Sequence, residues 1–309
     1  MTARGFARAA VVVALGAALT SCGTVAGTGA PTGSPSGSTS SSASSSSASS
    51  SASPTARSAD ATVLVGSWLV TDAAGAEPGT VLRLGDDLSL WQSCGYLMGS
   101  WRASTTSLFS ASLVGGDGAC FGAGVRKPTP AWLAAATRYA SSGDGVLLLD
   151  SAGATVARLS PGGRPTPGPN LLPSLADPPV LTPALRTLLA TPEPLPASAT
   201  PVTRQQLLGR WVTVLPRPST GLAHDVTPGI TFADDGSYSA TDGCNATEGR
   251  WAADDAGALL VTGGFSTAIG CDNVDVALSA ARASWATLDG GVLVLVGPDG
   301  KETGRLRRP

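Results

Sequence analysis

A stretch of roughly a hundred residues occurs twice in this chain, and that repeat constrains its fold more than any other feature. Leu64-Val-Gly66-Ser-Trp68-Leu-Val70 matches Leu208-Gly209-Arg-Trp211-Val. From Leu82 to Trp101 the copies align 150 residues apart: Leu82 with Phe232, Leu88 with Tyr238, Cys94 with Cys244 and Trp101 with Trp251. Cys120 then aligns with Cys271, Tyr139 with Trp285, Gly145-Val-Leu147 with Gly291-Val-Leu293, and Arg158-Leu159 with Arg305-Leu306. Matches kept in order over this distance imply two homologous domains, 62–160 and 204–307, each long enough for one modest core.

Within a copy the signals are mostly those of strands. Ile230, Phe232, Tyr238 and Ala240 alternate with small or polar residues around Asp234-Asp235-Gly236, which reads as a hairpin turn. The first copy repeats the pattern with Leu82 and Leu84, Gly85-Asp86-Asp87, then Leu88 and Leu90. Val146–Leu149 and Val292–Val296 are apolar runs of strand length. One helix is expected in each copy. In the first, Thr129 caps, Pro130 opens, and Trp132, Ala136 and Tyr139 form one face. In the second, Asp272 or Asn273 caps, and Leu278, Ala281 and Trp285 form the face. The expected class is mainly β with one helix per domain (α+β), an antiparallel and barrel-like sheet curled around or against that helix.

Segment 161–203 carries twelve prolines between Pro161 and Pro201, so it reads as a stiff extended linker. A short helix is expected near Pro183–Ala190, with Leu185, Leu188 and Leu189 on one side.

The N-terminus reads as an export signal over 1–21. Arg4 and Arg8 precede a short apolar run, Ala9–Leu19, too short for an ordinary membrane span. Leu19-Thr20-Ser21-Cys22 resembles the bacterial lipobox, which implies a diacylglyceryl group on Cys22 and cleavage before it. Residues 22–61 then form a Ser/Ala-rich tether with nothing to bury, spanning roughly 35 Å as a random coil. The expected location is the extracytoplasmic face of the cell membrane, with the lipid on Cys22 as the membrane partner. With Cys22 modified, four of the five cysteines remain to pair in an oxidising compartment. The repeat duplicates them as units, which predicts Cys94–Cys120 and Cys244–Cys271 disulfides.

The second copy resembles the META, or HslJ-like, domain family. The strings that carry the resemblance are Leu208-Gly209-Arg-Trp211, Ile230-Thr-Phe232-Ala-Asp-Asp-Gly236-Ser-Tyr238, Gly243-Cys244-Asn245-Ala-Thr-Glu-Gly249-Arg-Trp251, Ser266-Thr267-Ala-Ile269-Gly-Cys271 and Gly291-Val-Leu293-Val-Leu295. The first copy is diverged: Ser93-Cys94-Gly95 stands for Gly-Cys-Asn, and the Thr-rich approach to the second cysteine is absent. The resemblance implies small, mainly β domains on bacterial envelope lipoproteins, and no assigned catalysis.

The residues themselves point the same way. The sole histidine, His224, has no counterpart in the first copy and no serine elbow to work with. The cysteine spacings are unlike zinc knuckles, and Asp272, Asn273 and Asp275 lack calcium-loop spacing, so no metal or cofactor is expected. Residues 62–160 carry 6 basic and 7 acidic groups and 204–309 carry 9 and 12, so neither copy has the positive field that nucleic acid requires. Trp68, Trp101, Trp211 and Trp251 recur at matched places and read as structural, whereas Trp91 and Trp132 have no aromatic counterpart. The expected role is a non-catalytic envelope module that binds a protein, glycan or lipid, or maintains the envelope. The alternatives are a carrier of a small apolar ligand in a barrel-like cavity and, behind it, a hydrolase using His224 or the Asp234–Asp235 pair.

Overall fold

The computed structural model describes residues 59–120, 129–168, 171–215, 226–267 and 273–309. Alternating burial builds its strands. In the first repeat these are β1 (Gly66–Thr71), β2 (Val81–Leu84), β3 (Leu88–Gln92), β4 (Gly95–Ala103), β5 (Phe109–Gly118), β6 (Arg138–Ser142), β7 (Gly145–Leu149) and β8 (Thr155–Pro161), with helix α1 (Ala131–Ala135) between β5 and β6. The linker adds α2 (Pro183–Leu188) and the short β9 (Thr200–Pro201). The second repeat holds α3 (Arg204–Leu207), β10 (Gly209–Thr213), β11 (Gly229–Phe232), β12 (Ser237–Thr241), β13 (Ala246–Ala253), β14 (Leu259–Val261), β15 (Phe265–Ser266), α4 (Val276–Arg282), β16 (Trp285–Asp289), β17 (Val292–Val296) and β18 (Glu302–Arg307).

The strands form two antiparallel sheets, ordered β5-β4-β3-β2-β1-β8-β7-β6 and β14-β13-β12-β11-β10-β18-β17-β16-β9. Each sheet covers its own apolar core. Leu82, Leu84, Leu88, Leu90, Trp101 and Phe109 lie in the first. Trp211, Phe232, Tyr238, Trp251 and Leu293 lie in the second.

The barrel-like curl expected from the sequence does not form. Each sheet is an open path with two ends. In the first, the segment leading into β5 pairs with β6 through the isolated bridge Leu108↔Arg138 and not through a ladder; in the second, Ala258↔Trp285 is the like contact. A barrel needs a continuous ladder across its seam. Here the chain leaves the seam for α1 or α4, which packs back onto its own sheet. The interiors are filled by side chains such as Trp251, Tyr139, Phe109 and Phe232.

The register also corrects the alignment of the two copies. Leu84 pairs with Leu88, and Phe232 pairs with Tyr238, so Leu84 and not Leu82 is the counterpart of Phe232. The hairpin turn of the second copy is two residues longer. Further on, Val146 faces Leu159 while Leu293 faces Leu306, and the bridges equate Arg138 with Trp285. Tyr139 therefore corresponds to Ala286. A one-residue shift reverses the face of a strand residue: Tyr139 is buried in the first core, whereas Trp285 points away from the second.

The helices differ in detail from expectation. Pro130 occupies the N-cap of α1 and α1 ends at Ala135, so Tyr139 belongs to β6. Asp275 caps α4 by accepting from Leu278 N at 2.9 Å. The buried face of α4 is Val276, Ala277 and Ala280, and Leu278 is exposed. The matched tryptophans do the same work in both copies. Trp68 Nε1 donates to Leu64 O at 2.8 Å as Trp211 Nε1 does to Leu207 O at 2.7 Å. Trp101 Nε1 donates to Gly85 O and Trp251 Nε1 to Ala233 O.

Residues Thr55–Pro309 make one compact unit, and the repeats pack directly on each other within it. Leu108 joins Ala258, Leu260 and Trp285 in an apolar cluster between them. Ser112 Oγ donates to Gly263 O at 2.8 Å, Arg102 Nη1 to Ala281 O, and Arg250 Nη2 to Ala134 O. Burial at this junction pushes the Arg102 guanidinium below its usual pKa. The linker is docked as well: Thr182 caps α2, and Leu185 and Leu189 enter the first core.

Candidate functional site

The outer face of the first sheet carries the most distinctive surface of the described residues. On β2, β3 and β4 the leucines point into the core, so the residues between them point out. Pairing places these outward residues in two rows. Val81 lies beside Trp91 and Trp91 beside Tyr96; Arg83 lies beside Ser89 and Ser89 beside Met98. The Trp91 and Tyr96 rings stack with centroids 5.0 Å apart and planes 23° apart. A bulge where β4 pairs β5, between Met98 and Gly99, interrupts the ladder next to this face.

The linker lies across the same face. Leu171 and Leu175 pack on Val81, Trp91 and Tyr96, leaving the two rings 5% and 8% exposed. Arg83 Nη2 donates to Asp177 O, and Thr182 Oγ1 donates to Asp86 Oδ1 at 2.7 Å. Burial lowers the Arg83 pKa, with Asp177 partly offsetting it. Gly85 is a close-approach position, because a Cβ there would lie 2.9 Å from Pro179 Cβ. Between sheet and linker an open groove of about 480 Å³ remains, bordered by Trp91, Met98, Asp86, Asp87 and Val180. Met98 and Val180 are exposed.

The second repeat lacks this surface. The corresponding rows are Gly229, Thr241 and Ala246, and Thr231, Ser239 and Glu248. That face turns toward the first repeat across a cleft of about 430 Å³ whose walls include Ser112, Thr129, Thr231, Ser239 and Arg250. The fold is thus built once without the aromatic pair, so the pair is not required by the fold.

No protein family, curated protein or solved structure matches this chain.

The residues singled out in the sequence are placed as follows. Cys94 and Cys120 form a disulfide with Cα atoms 5.0 Å apart, joining the start of β4 to the segment after β5. Cys244 is disulfide-bonded, and its expected partner Cys271 lies outside the described residues. Cys22, His224 and Asp272 also lie outside them. Asp234 and Asp235 do not converge. Asp234 meets Arg204 at 3.4 Å with its side chain 84% exposed. Asp235 instead accepts from Ser237 N and Oγ across the hairpin turn, and these bonds hold its pKa below the usual carboxylate range.

The Gly-Cys-Asn string forms a polar knot. Asp242 accepts from Cys244 N at 2.7 Å, Asn245 N at 2.6 Å and Asn245 Nδ2 at 2.9 Å. Burial works to raise the Asp242 pKa, but these bonds outweigh it and leave it lowered. Trp132 is buried in the first core, whereas Trp91 belongs to the groove. No group of three or more His, Cys, Asp or Glu is arranged to hold a metal among the described residues. No helix among them is long and apolar enough to cross a membrane. The outward phase of Val81, Trp91 and Tyr96 was available in the sequence, since each is out of step with the leucines beside it.

Proposed function

We propose that this chain is a lipid-anchored module of the bacterial envelope that resembles META (HslJ-like) lipoproteins and acts by binding, not catalysis. Lipid on Cys22 holds it at the extracytoplasmic face, the tether carries the repeats clear of the headgroups, and the first-repeat groove takes the ligand. One observation carries this reading: stacked aromatics, a guanidinium and an exposed methionine line one face of the first sheet, and the equivalent face of the second has none of them. Ligand sites combine apolar lining with a few placed polar groups, and this groove has both. The second repeat serves as a support, since it packs against β4 and β5 of the first.

The test uses the full chain made soluble by Cys22→Ala, with separated envelope protein, glycan and lipid fractions as ligands. Saturable binding to one fraction is expected to fall at least tenfold with Met98→Arg and to persist with Leu69→Arg, an exposed position on β1. Equal binding by both variants would remove the groove from the account.

A further inference from the structure

The groove's existing occupant indicates what kind of partner it takes. Segment 171–180 reads Leu-Leu-Pro-Ser-Leu-Ala-Asp-Pro-Pro-Val. Its backbone is extended on both sides of a single 3-10 turn at Pro173–Ala176, with Leu172 at φ −64°, ψ 128° and Asp177 at φ −63°, ψ 140°. These are polyproline II values. The turn has its own bonds, Leu175 N to Leu172 O at 3.0 Å and Asp177 N to Ser174 O at 3.1 Å, and a polyproline II strand beyond it leaves its carbonyls free for other donors. Arg83 donates to one of those carbonyls, on Asp177. Leu171 and Leu175 cover the aromatic pair, and Pro179 sits against Gly85 where any side chain would collide. Aromatic-lined grooves bind proline-rich strands in this way because the strand is already extended and loses little entropy on docking.

Resting on the proposal that the groove binds a ligand, we propose that segment 171–180 is a built-in occupant of the groove, and that the external partner is an extended proline- and leucine-containing polypeptide that replaces it on Trp91 and Tyr96. The links that hold the segment are reversible: one guanidinium contact, the Thr182–Asp86 hydrogen bond, the packing of Pro179 on Gly85 and two partly buried leucines. A competing strand of the same chemistry exchanges like contacts for like. The open volume beside Met98 and Val180 gives it a place to start.

The experiment measures binding of a labelled peptide with the sequence of residues 171–182 to the full chain carrying Cys22→Ala. Leu171→Ser with Leu175→Ser loosens the resident segment and is expected to tighten peptide binding at least tenfold over the parent. Adding Trp91→Ala is expected to abolish it. Asp86→Ala, at an exposed turn position, removes one hydrogen bond beside the segment without touching either core and is expected to shift affinity in the same direction, by less than the leucine pair. Equal affinity in parent and loosened variants, binding that survives Trp91→Ala, or no binding to any variant would overturn the inference. If the peptide fails while an envelope ligand still depends on Met98, only this inference falls. If both fail, the binding role falls with it.

Discussion

Removing the Cys94–Cys120 bond with Cys94→Ala and Cys120→Ala is expected to cost about 3.5 kcal/mol of stability. The bond joins residues 26 apart, and the loop-entropy relation for a closed loop of that length yields this figure at 25 °C. The enclosed segment is the β4–β5 hairpin, whose open end is also held by Cys120 N donating to Cys94 O at 3.3 Å. The folded hairpin keeps its ladder of backbone bonds without the sulfurs, so the loss falls mainly on the unfolded state. For a unit of this size the change corresponds to a lowering of Tm by roughly 7–14 °C. Guanidinium unfolding followed by far-UV circular dichroism measures it, with the slope compared between variants. A loss below about 1 kcal/mol would show that the loop-entropy account is wrong for this bond. Tyr96 and Met98 lie on β4 within the loop, and because that ladder persists, ligand binding at the groove by the folded variant should be unchanged.

Two further outcomes are expected. Asp242 has a lowered folded pKa, so its stabilising contribution is fully present above its unfolded value near pH 4 and is lost as pH falls through the folded value. Asp242→Asn should therefore be less stable than the parent at neutral pH, with the gap closing as pH falls from about 5 to 2; parallel stability curves would refute this. Cys22→Ala should abolish lipid labelling and release the chain from the membrane fraction, and retained labelling would show that the anchor lies elsewhere.

Much of the fold can be read from the sequence because alternation is strong where one face of a strand is buried. Leu82, Leu84, Leu88 and Leu90 mark the core phase of the β2–β3 hairpin, and Gly85-Asp86-Asp87 marks its turn. The hairpin of the second copy has two more residues in its turn, and identity at Trp101 and Trp251 does not reveal where in the intervening segment they were added. The Tyr139–Trp285 alignment fails for a related reason: an aromatic match outweighed strand phase, and the bridges show that phase governs. Sheet closure could not be read from strand number, since it depends on how the chain leaves β5 and β14.

The groove was half legible. Trp91 stood out as an aromatic without a partner in the other copy, and its phase relative to Leu88 and Leu90 points it outward. Its cover was hidden because Leu171 and Leu175 sit among prolines that read as a spacer. Proline removes backbone donors, yet it does not prevent side-chain docking on a neighbouring sheet. The docked linker is a tertiary choice with no periodic signature in the sequence.

The most direct measurement of the central claim is site-specific photocrosslinking in intact cells. A photoreactive phenylalanine analogue at Met98, which borders the groove and is 40% exposed, is compared with the same group at Leu69 on β1, which is 37% exposed. The account predicts one discrete crosslinked species from Met98, absent from Leu69 and lost when Trp91→Ala is added. Equal labelling from both positions, or a Met98 crosslink unaffected by Trp91→Ala, would contradict it.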